Sequence, residues 1–133
     1  MSAFHLQIVT PEGVAFDGEA EQLTVRTTEG YVGILAGHTD FVAALDVGRA
    51  TVVTGGERRR AACGGGFLSV ERGEVRLVAT TFEYAADIDT ARAEDAKKRA
   101  QAILAQQRDE QEVRIARAKL ARALNRLDVA GKN

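Results

Sequence analysis

The chain has 133 residues, of which 28% are charged and 45% hydrophobic, and its formal net charge is −1. This length accommodates one ordinary domain, or a small domain with an appendage. A charge balance near zero provides no basic field, so we expect no nucleic-acid partner. No apolar run approaches the length of a membrane span, and the N-terminus shows no signal or transit pattern. We therefore expect contact with a membrane only through another protein.

The first 86 residues read as short β-strands. Apolar and polar residues alternate over Phe4–Ile8, which is typical of a half-buried strand. Turn signals recur every eight to twelve residues or so, and no helical segment separates them, so we predict an all-antiparallel β-sandwich. The predicted turns are Pro11-Glu12-Gly13, Glu29-Gly30, Gly55-Gly56 and Arg72-Gly73. We further expect strands to end at Asp17-Gly18 and at Gly48, and a tight turn or bulge at Gly64–Gly66.

The stretch Ile88–Ala93 separates this region from a helical one. The hydrophobic period changes there from about two to about 3.6, and neither Gly nor Pro follows until Gly131. Asp89 is a plausible N-cap, because its carboxylate can accept from backbone N–H groups two or three residues further on. We therefore predict a C-terminal helical domain over residues 87–133.

Two apolar stripes in this domain predict an α-helical hairpin. The first stripe contains Ala93, Ala96, Ala100, Ile103 and Leu104. The second contains Val113, Leu120, Leu124 and Leu127, with Ala116, Ala121 and Ala123 beside it. The polar stretch Gln106–Glu112 separates them and has no helix breaker, so one long helix is allowed by the same sequence. Because alanine buries little surface, such a hairpin could exchange with an extended form at a cost of only a few kcal/mol.

Candidates for catalysis are few. The only histidines are His5 and His38, and Cys63 is the only cysteine. They match neither a zinc spacing nor a nucleophile–base set, and we expect Cys63 to be buried and inert. The glycines Gly64–Gly66 precede a strand rather than Lys-Thr/Ser and a helix, so they are not a phosphate loop. We expect no catalytic residues and no metal of the chain's own.

Arginines on the two helices form the sharpest constellation. Arg92 and Arg99 are seven residues apart on the first helix, and Arg122 and Arg126 are four apart on the second. In an antiparallel hairpin these guanidinium groups would converge near the helix N-terminus at Asp89, where a polyphosphate could bind. Asp89 and Glu83 would supply acceptors for a base or ribose. Sequence physics alone favours a solvated basic face that binds nothing specific.

Four stretches resemble the epsilon subunit of bacterial and chloroplast F-type ATP synthases. They are Val9–Glu12, Glu29–His38, Gly64–Val70 and Ile88–Ala93. Each is a weak match alone, but their order, their spacing and the helical hairpin that follows are together specific. The resemblance covers essentially the whole chain.

The resemblance implies a non-catalytic subunit of the central rotor stalk. The sandwich, over residues 1–86, would bind the gamma subunit and the membrane ring of c subunits. The helices, over residues 87–133, would extend into the catalytic alpha/beta hexamer and restrain ATP hydrolysis. The run Val113–Leu127, which has five basic residues and no acid, suits an acidic surface on that hexamer. The implied location is the cytoplasmic side of the bacterial inner membrane.

Some bacterial members of that family bind ATP in the folded hairpin, so ATP is an expected regulatory ligand. The family's pattern is matched here by Glu83, Ile88, Asp89, Arg92, Ala93, Arg99, Arg122 and Arg126. The alternative function is a free-standing β-sandwich adaptor with a coiled-coil tail. A third candidate, a nucleotide hydrolase, lacks a general base and a phosphate loop.

Overall fold

A computed structural model describes residues 2–106 and 109–131. Eight strands precede two helices: β1 Phe4–Thr10, β2 Gly13–Ala20, β3 Gln22–Thr27, β4 Gly30–Ile34, β5 Phe41–Thr54, β6 Glu57–Glu71, β7 Glu74–Ala79, β8 Phe82–Tyr84, α1 Thr90–Ala105 and α2 Glu110–Ala130. A short 3₁₀ turn, Ala85–Asp87, precedes α1. The chain divides into two compact units between Tyr84 and Ala85. The predicted fold class, a β-sandwich followed by a helical hairpin, is confirmed.

The strands follow the order β2-β1-β7-β6-β5-β3-β4, with β8 paired to β6. Every pair is antiparallel except β1 with β7, which run parallel. The prediction of an all-antiparallel sheet is therefore wrong for this one pair. Strands joined by a tight turn must be antiparallel, whereas β1 and β7 are far apart in sequence and no turn fixes their relative direction.

Alternate residues of the strands form the core of the first unit. Side chains such as Leu6 and Ile8 on β1, Leu23 and Val25 on β3, and Leu77 on β7 have no exposed surface. Their neighbours along each strand point away from the core, as the two-residue period of a strand requires. This burial supplies the main stabilising contribution to the sandwich.

Strands β5 and β2 continue through glycines at which the sequence predicted a break. β5 runs through Gly48, where the side chain of Arg26 crosses the strand: a Cβ on Gly48 would lie 2.7 Å from the Cβ of Arg26. The glycine is needed for this close approach and does not end the strand. β2 likewise continues through Asp17-Gly18, because these residues pair with Gln7 and Leu6 of β1.

The segment Gly64–Gly66 is also part of a strand rather than a tight turn. β6 pairs with β8 before it, through residues 61–63, and with β7 after it, through residues 66–71. Gly64 N–H donates to the Thr81 carbonyl at 2.9 Å, and Gly65 accepts from Thr80 N–H at 3.0 Å. Gly66 adopts a φ of +127°, which strongly favours glycine. The glycines therefore lie where β6 exchanges one partner strand for another.

The short turns follow the prediction. Gly55 and Gly56 have φ angles of +59° and +78°, the left-handed conformation that suits a two-residue hairpin. Arg72 and Gly73 do the same between β6 and β7, with φ angles of +52° and +80°. These positive angles set the register of the hairpins on either side.

His5 links three strands on the surface of the sheet. Its Nε2 lies 2.6 Å from Asp17 Oδ1 on β2, and its Nδ1 lies 2.5 Å from Glu74 Oε2 on β7. The hydrogen bond with Asp17, and then that with Glu74, raises the pKa of His5 to about 9. The same bond lowers the pKa of Asp17. His5 is therefore protonated at neutral pH and donates to both carboxylates.

We expect His5 to make the stability of the sandwich fall in alkaline solution. Because its folded pKa, about 9, exceeds its unfolded value of 6.5, its stabilising contribution is complete below pH 6.5. That contribution disappears as the pH rises through 9. Urea unfolding between pH 6 and 10 measures the effect against His5→Gln, which should lack this pH-dependent part. Parallel pH curves for the two proteins would contradict the prediction.

Candidate functional site

The N-terminus of α1 is fixed by the residues that the sequence identified. Asp89 has φ −79° and ψ 96°, and its Oδ1 accepts from Arg92 N–H at 3.0 Å. Its carbonyl accepts from Ala93 N–H at 3.0 Å. The preceding residue, Ile88, is buried, with 8% of its surface exposed. The predicted N-cap is therefore present. Because Asp89 already occupies the Arg92 N–H, an anion at this helix end would depend more on side-chain donors than the sequence suggested.

Alanines provide most of the buried positions of the two helices: both buried residues of α1 and two of the four on α2 are alanines, the other two being Leu127 and Val129. Ala93 and Ala100 on α1 and Ala116 and Ala123 on α2 are each at most 2% exposed. The predicted stripe on α2 is partly wrong, because Leu124 is 43% exposed while its neighbour Ala123 is fully buried. The spacing of seven residues in both alanine pairs was the signal for this seam. Of the two alternatives that the sequence allowed, the structure has the hairpin.

The four predicted arginines lie on one face of this hairpin, which we call the arginine face. Arg92 and Arg99 each precede a seam alanine of α1, and Arg122 precedes Ala123 of α2. On a right-handed helix the residue before a seam residue points about 100° to one side. When two antiparallel helices face each other, the residues that precede the seam residues of each helix therefore point to the same side of the hairpin. Arg126 lies one turn beyond Arg122 and shares its side.

The ends of the helices bring the arginines of α2 toward the start of α1. The turn Ala85–Asp87 contacts α2, so the residues that lead into α1 lie beside that helix. Arg92 and Arg99 are exposed, whereas Arg122 and Arg126 are partly buried. Guanidinium groups arranged in this way suit a ligand with several anionic oxygens.

Glu83, the remaining predicted site residue, belongs to the first unit. It lies on β8, where it pairs with Ala62 of β6, and it is partly buried. Gln107 and Arg108, which belong to the predicted loop Gln106–Glu112, lie outside the described residues.

A second candidate surface lies on the sandwich, and the sequence did not single it out. We call it the apolar row. It consists of directly paired residues on five neighbouring strands, all facing away from the core: Val14, Val9, Val78, Phe67 and Ala44. Val14 is 62% exposed and Phe67 45% exposed. Val42, two residues from Ala44 on the same face, is 75% exposed. Contiguous exposed apolar side chains of this kind mark interaction surfaces.

The surroundings of Cys63 and His38 indicate structural rather than catalytic roles. Cys63 is 2% exposed, as predicted, and burial raises the pKa of its thiol. Nδ1 of His38 lies 2.7 Å from the Thr39 carbonyl oxygen. Within residues 2–106 and 109–131, no group of three or more His, Cys, Asp or Glu side chains is arranged to hold a metal ion. In the same ranges, no helix combines the length and the hydropathy needed to cross a membrane.

An exposed apolar row on a sandwich and arginines on a helical hairpin are features typical of a subunit that binds other molecules. Two family models match: "ATP synthase, Delta/Epsilon chain, beta-sandwich domain" over residues 3–85 and "ATP synthase, Delta/Epsilon chain, long alpha-helix domain" over residues 86–131. The chain belongs to this family of non-catalytic central-stalk subunits of ATP synthase. The predicted family and the predicted non-catalytic role are confirmed.

Relatives cover the whole chain. It is 42% identical to the ATP synthase epsilon chain of Bacillus velezensis over 131 residues, which is 98% of this chain and 99% of that one. It is also 42% identical to the epsilon chain of Bacillus subtilis over 132 residues, 99% and 100% of the two chains. A chain in the Euglena gracilis mitochondrial ATP synthase shares the fold, with a TM-score of 0.71 and 24% identity over 99% of this chain and 79% of that chain.

Proposed function

We propose that this subunit couples the c-ring to gamma and restrains ATP hydrolysis through its C-terminal helices, with ATP stabilising the folded hairpin. In this proposal the assembly holds the subunit at the cytoplasmic side of the bacterial inner membrane. The observation that carries the regulatory part is the arginine face, which is built on a hairpin with an alanine seam. The coupling part is supported by family membership and by the apolar row.

The alanine seam supports the idea that the hairpin opens at modest cost. A buried alanine removes little apolar surface from water compared with leucine or isoleucine. The helices therefore gain less from packing on each other than helices with a leucine seam, and a few kcal/mol separate the closed and open forms. In the open form α2 would carry its acid-free basic segment, Val113–Leu127, to an acidic surface of the catalytic hexamer.

ATP would act by a population shift. The arginine face exists only while α1 and α2 are packed together, since its members come from both helices. A ligand that binds one of two states favours that state by an amount set by its concentration and affinity. Abundant ATP would hold the helices down and leave the motor free, and scarce ATP would release them to brake hydrolysis.

Calorimetric titration of the full chain with ATP, with and without magnesium and alongside ADP, tests the ligand. Saturable one-to-one binding that prefers ATP is expected. Absence of binding at millimolar ATP would remove ATP from the proposal and leave the arginine face as a contact for the catalytic subunits. Copurification with gamma and the catalytic hexamer separates a rotor subunit from a free-standing adaptor.

The apolar row gives a prediction for the gamma contact. Phe67→Asp places a carboxylate within the row, between Val78 and Ala44, and burying an unpaired charge in an interface is costly. We expect at least roughly tenfold weaker binding of the chain to a gamma-containing catalytic complex that lacks this subunit. Fluorescence titration with a labelled chain measures the affinity.

Tyr31→Asp is the matched control for the gamma contact. Tyr31 is 59% exposed but lies on β4, at the other end of the strand order from β2. Its replacement by the same charge should leave the affinity for the gamma-containing complex within about twofold. Equal losses in both variants would mean that the effect is not specific to the apolar row.

A further inference from the structure

The two helices of the hairpin end in different ways. α2 ends at Gly131, whose φ of +79° and whose N–H bonds to Asp128 and Leu127 carbonyls form a firm C-terminal stop. α1 ends at Gln106, which has φ −86° and ψ 0° and donates to the Ile103 carbonyl at 3.2 Å. Gln106 is itself a good helix former, so the identity of this residue does not explain why α1 ends here.

A helix-start signal lies at Asp109, immediately before α2. Asp109 has φ −60° and ψ 161°, far from helical values, and its Oδ1 accepts from Glu112 N–H at 2.9 Å. Its carbonyl accepts from Val113 N–H at 3.0 Å. Asp at the cap with Glu three residues later is the sequence of a capping box.

The acidic residues of the first turn also favour a helix that starts after Asp109. Glu110 and Glu112 lie in the first turn of α2, where carboxylates interact favourably with the helix dipole. In one continuous helix both side chains would lie in its interior, far from either end, and this interaction would be lost. Asp109 would then occupy a helix interior, where aspartate is among the less favourable residues.

We propose that Asp109 sets the balance between the hairpin and a continuous helix, because its cap stabilises the hairpin alone. The proposal rests on the proposed function in that it names a residue regulating the helix opening suggested there. Replacing Asp109 by Ala removes the cap and introduces the best helix former at once. We expect the ratio of extended to folded chain to rise about fivefold.

Electron spin resonance distances on the full chain measure this ratio directly. Spin labels at Lys98→Cys and Ala121→Cys lie at exposed positions of α1 and α2, and Cys63 is too buried to compete for the label. The two sites are 23 residues apart, or about 35 Å in a continuous helix. In the packed hairpin they lie within roughly 20 Å of each other.

Two matched variants separate the cap from other effects. Asp109→Asn keeps an N-cap of similar strength without the charge, so its ratio should stay within about twofold of the parent. Asp95→Ala removes an exposed carboxylate from the middle of α1, where it caps nothing, and should leave the ratio unchanged. An Asp109→Ala ratio equal to that of the parent, or matched by Asp95→Ala, would overturn the proposal.

A third variant is needed if the extended form of Asp109→Ala is too scarce to measure. Asp109→Ala combined with Glu110→Gln and Glu112→Gln removes the cap and both first-turn charges, and it should raise the long-distance fraction further. Lack of a long-distance component in this variant would also refute the role of Asp109. Because these measurements use no nucleotide and no partner, such a failure is distinct from a failure of ATP binding or of rotor assembly.

Discussion

Gly66→Ala should lower the stability of the sandwich unit by about 3 kcal/mol. A Cβ at this position would overlap the carbonyl oxygen of Val78 and lie 2.9 Å from Cα of Ala79. Both are backbone atoms of β7, so no side chain can rotate to make room. The φ of +127° adds a conformational cost, because side chains with a Cβ rarely adopt it. Thermal unfolding should show a midpoint lower by roughly 12–24 °C for a domain of this size.

Gly13→Ala is a control with the same backbone conformation. Gly13 also has a φ of +127°, but no atom lies within 4 Å of the position that its Cβ would take. Its replacement carries only the conformational cost, about 1–2 kcal/mol. The difference between the two variants therefore isolates the clash with β7. Equal melting temperatures would show that β6 and β7 do not approach each other as closely as described.

Arg92→Ala and Arg126→Ala should each weaken ATP binding at least about tenfold, which corresponds to about 1.4 kcal/mol. One arginine comes from each helix, and a hydrogen bond between a guanidinium group and a phosphate oxygen contributes more than a neutral one. Isothermal titration of each variant against the unmodified chain gives the affinities. Affinity unchanged in both variants would show that ATP does not bind on the arginine face.

Arg117→Ala controls for the loss of one positive charge. Arg117 is exposed and follows the seam residue Ala116, so it points to the side of the hairpin opposite the arginine face. Its removal changes the net charge by the same amount and should change the ATP affinity by less than about twofold. A loss equal to that of Arg92→Ala would indicate a diffuse electrostatic effect rather than direct contacts.

The sequence predicted the features that depend on neighbouring residues. The turns at Gly55-Gly56 and Arg72-Gly73 and the cap at Asp89 involve atoms only a few positions apart. Such local signals act in the same way in most folds.

Features that depend on distant parts of the chain were not predicted. The role of Gly48 is set by Arg26, and that of Gly64 by Thr81, neither of which is a sequence neighbour. The parallel direction of β1 and β7 likewise depends on residues that are far apart in the sequence. A glycine in a sequence indicates freedom at that point, but only the packing decides whether a strand ends there.

On the hairpin, the spacing of the arginines was visible in the sequence, and the predicted stripe members Ala93, Ala100 and Leu127 are buried, but Leu124 was wrongly included in the seam. A hydrophobicity pattern favours leucine over alanine, so Leu124 was preferred to Ala123. Close packing of two helices instead places the small residue in the contact. Asp109 lay within a stretch read as a polar loop, although the spacing Asp109–Glu112 already matched a capping box.

The continuity of β5 and β6 has a mechanical consequence. They are paired over almost their whole length, from Phe41 with Val70 to Thr54 with Glu57. Ladder hydrogen bonds run perpendicular to the strands, so a force along the strands loads them all together in shear instead of opening them one after another. Within the sandwich, this ribbon should therefore resist a force that slides β5 along β6. In the coupling proposed above, this resistance would let the sandwich pass on a load without its two longest strands separating.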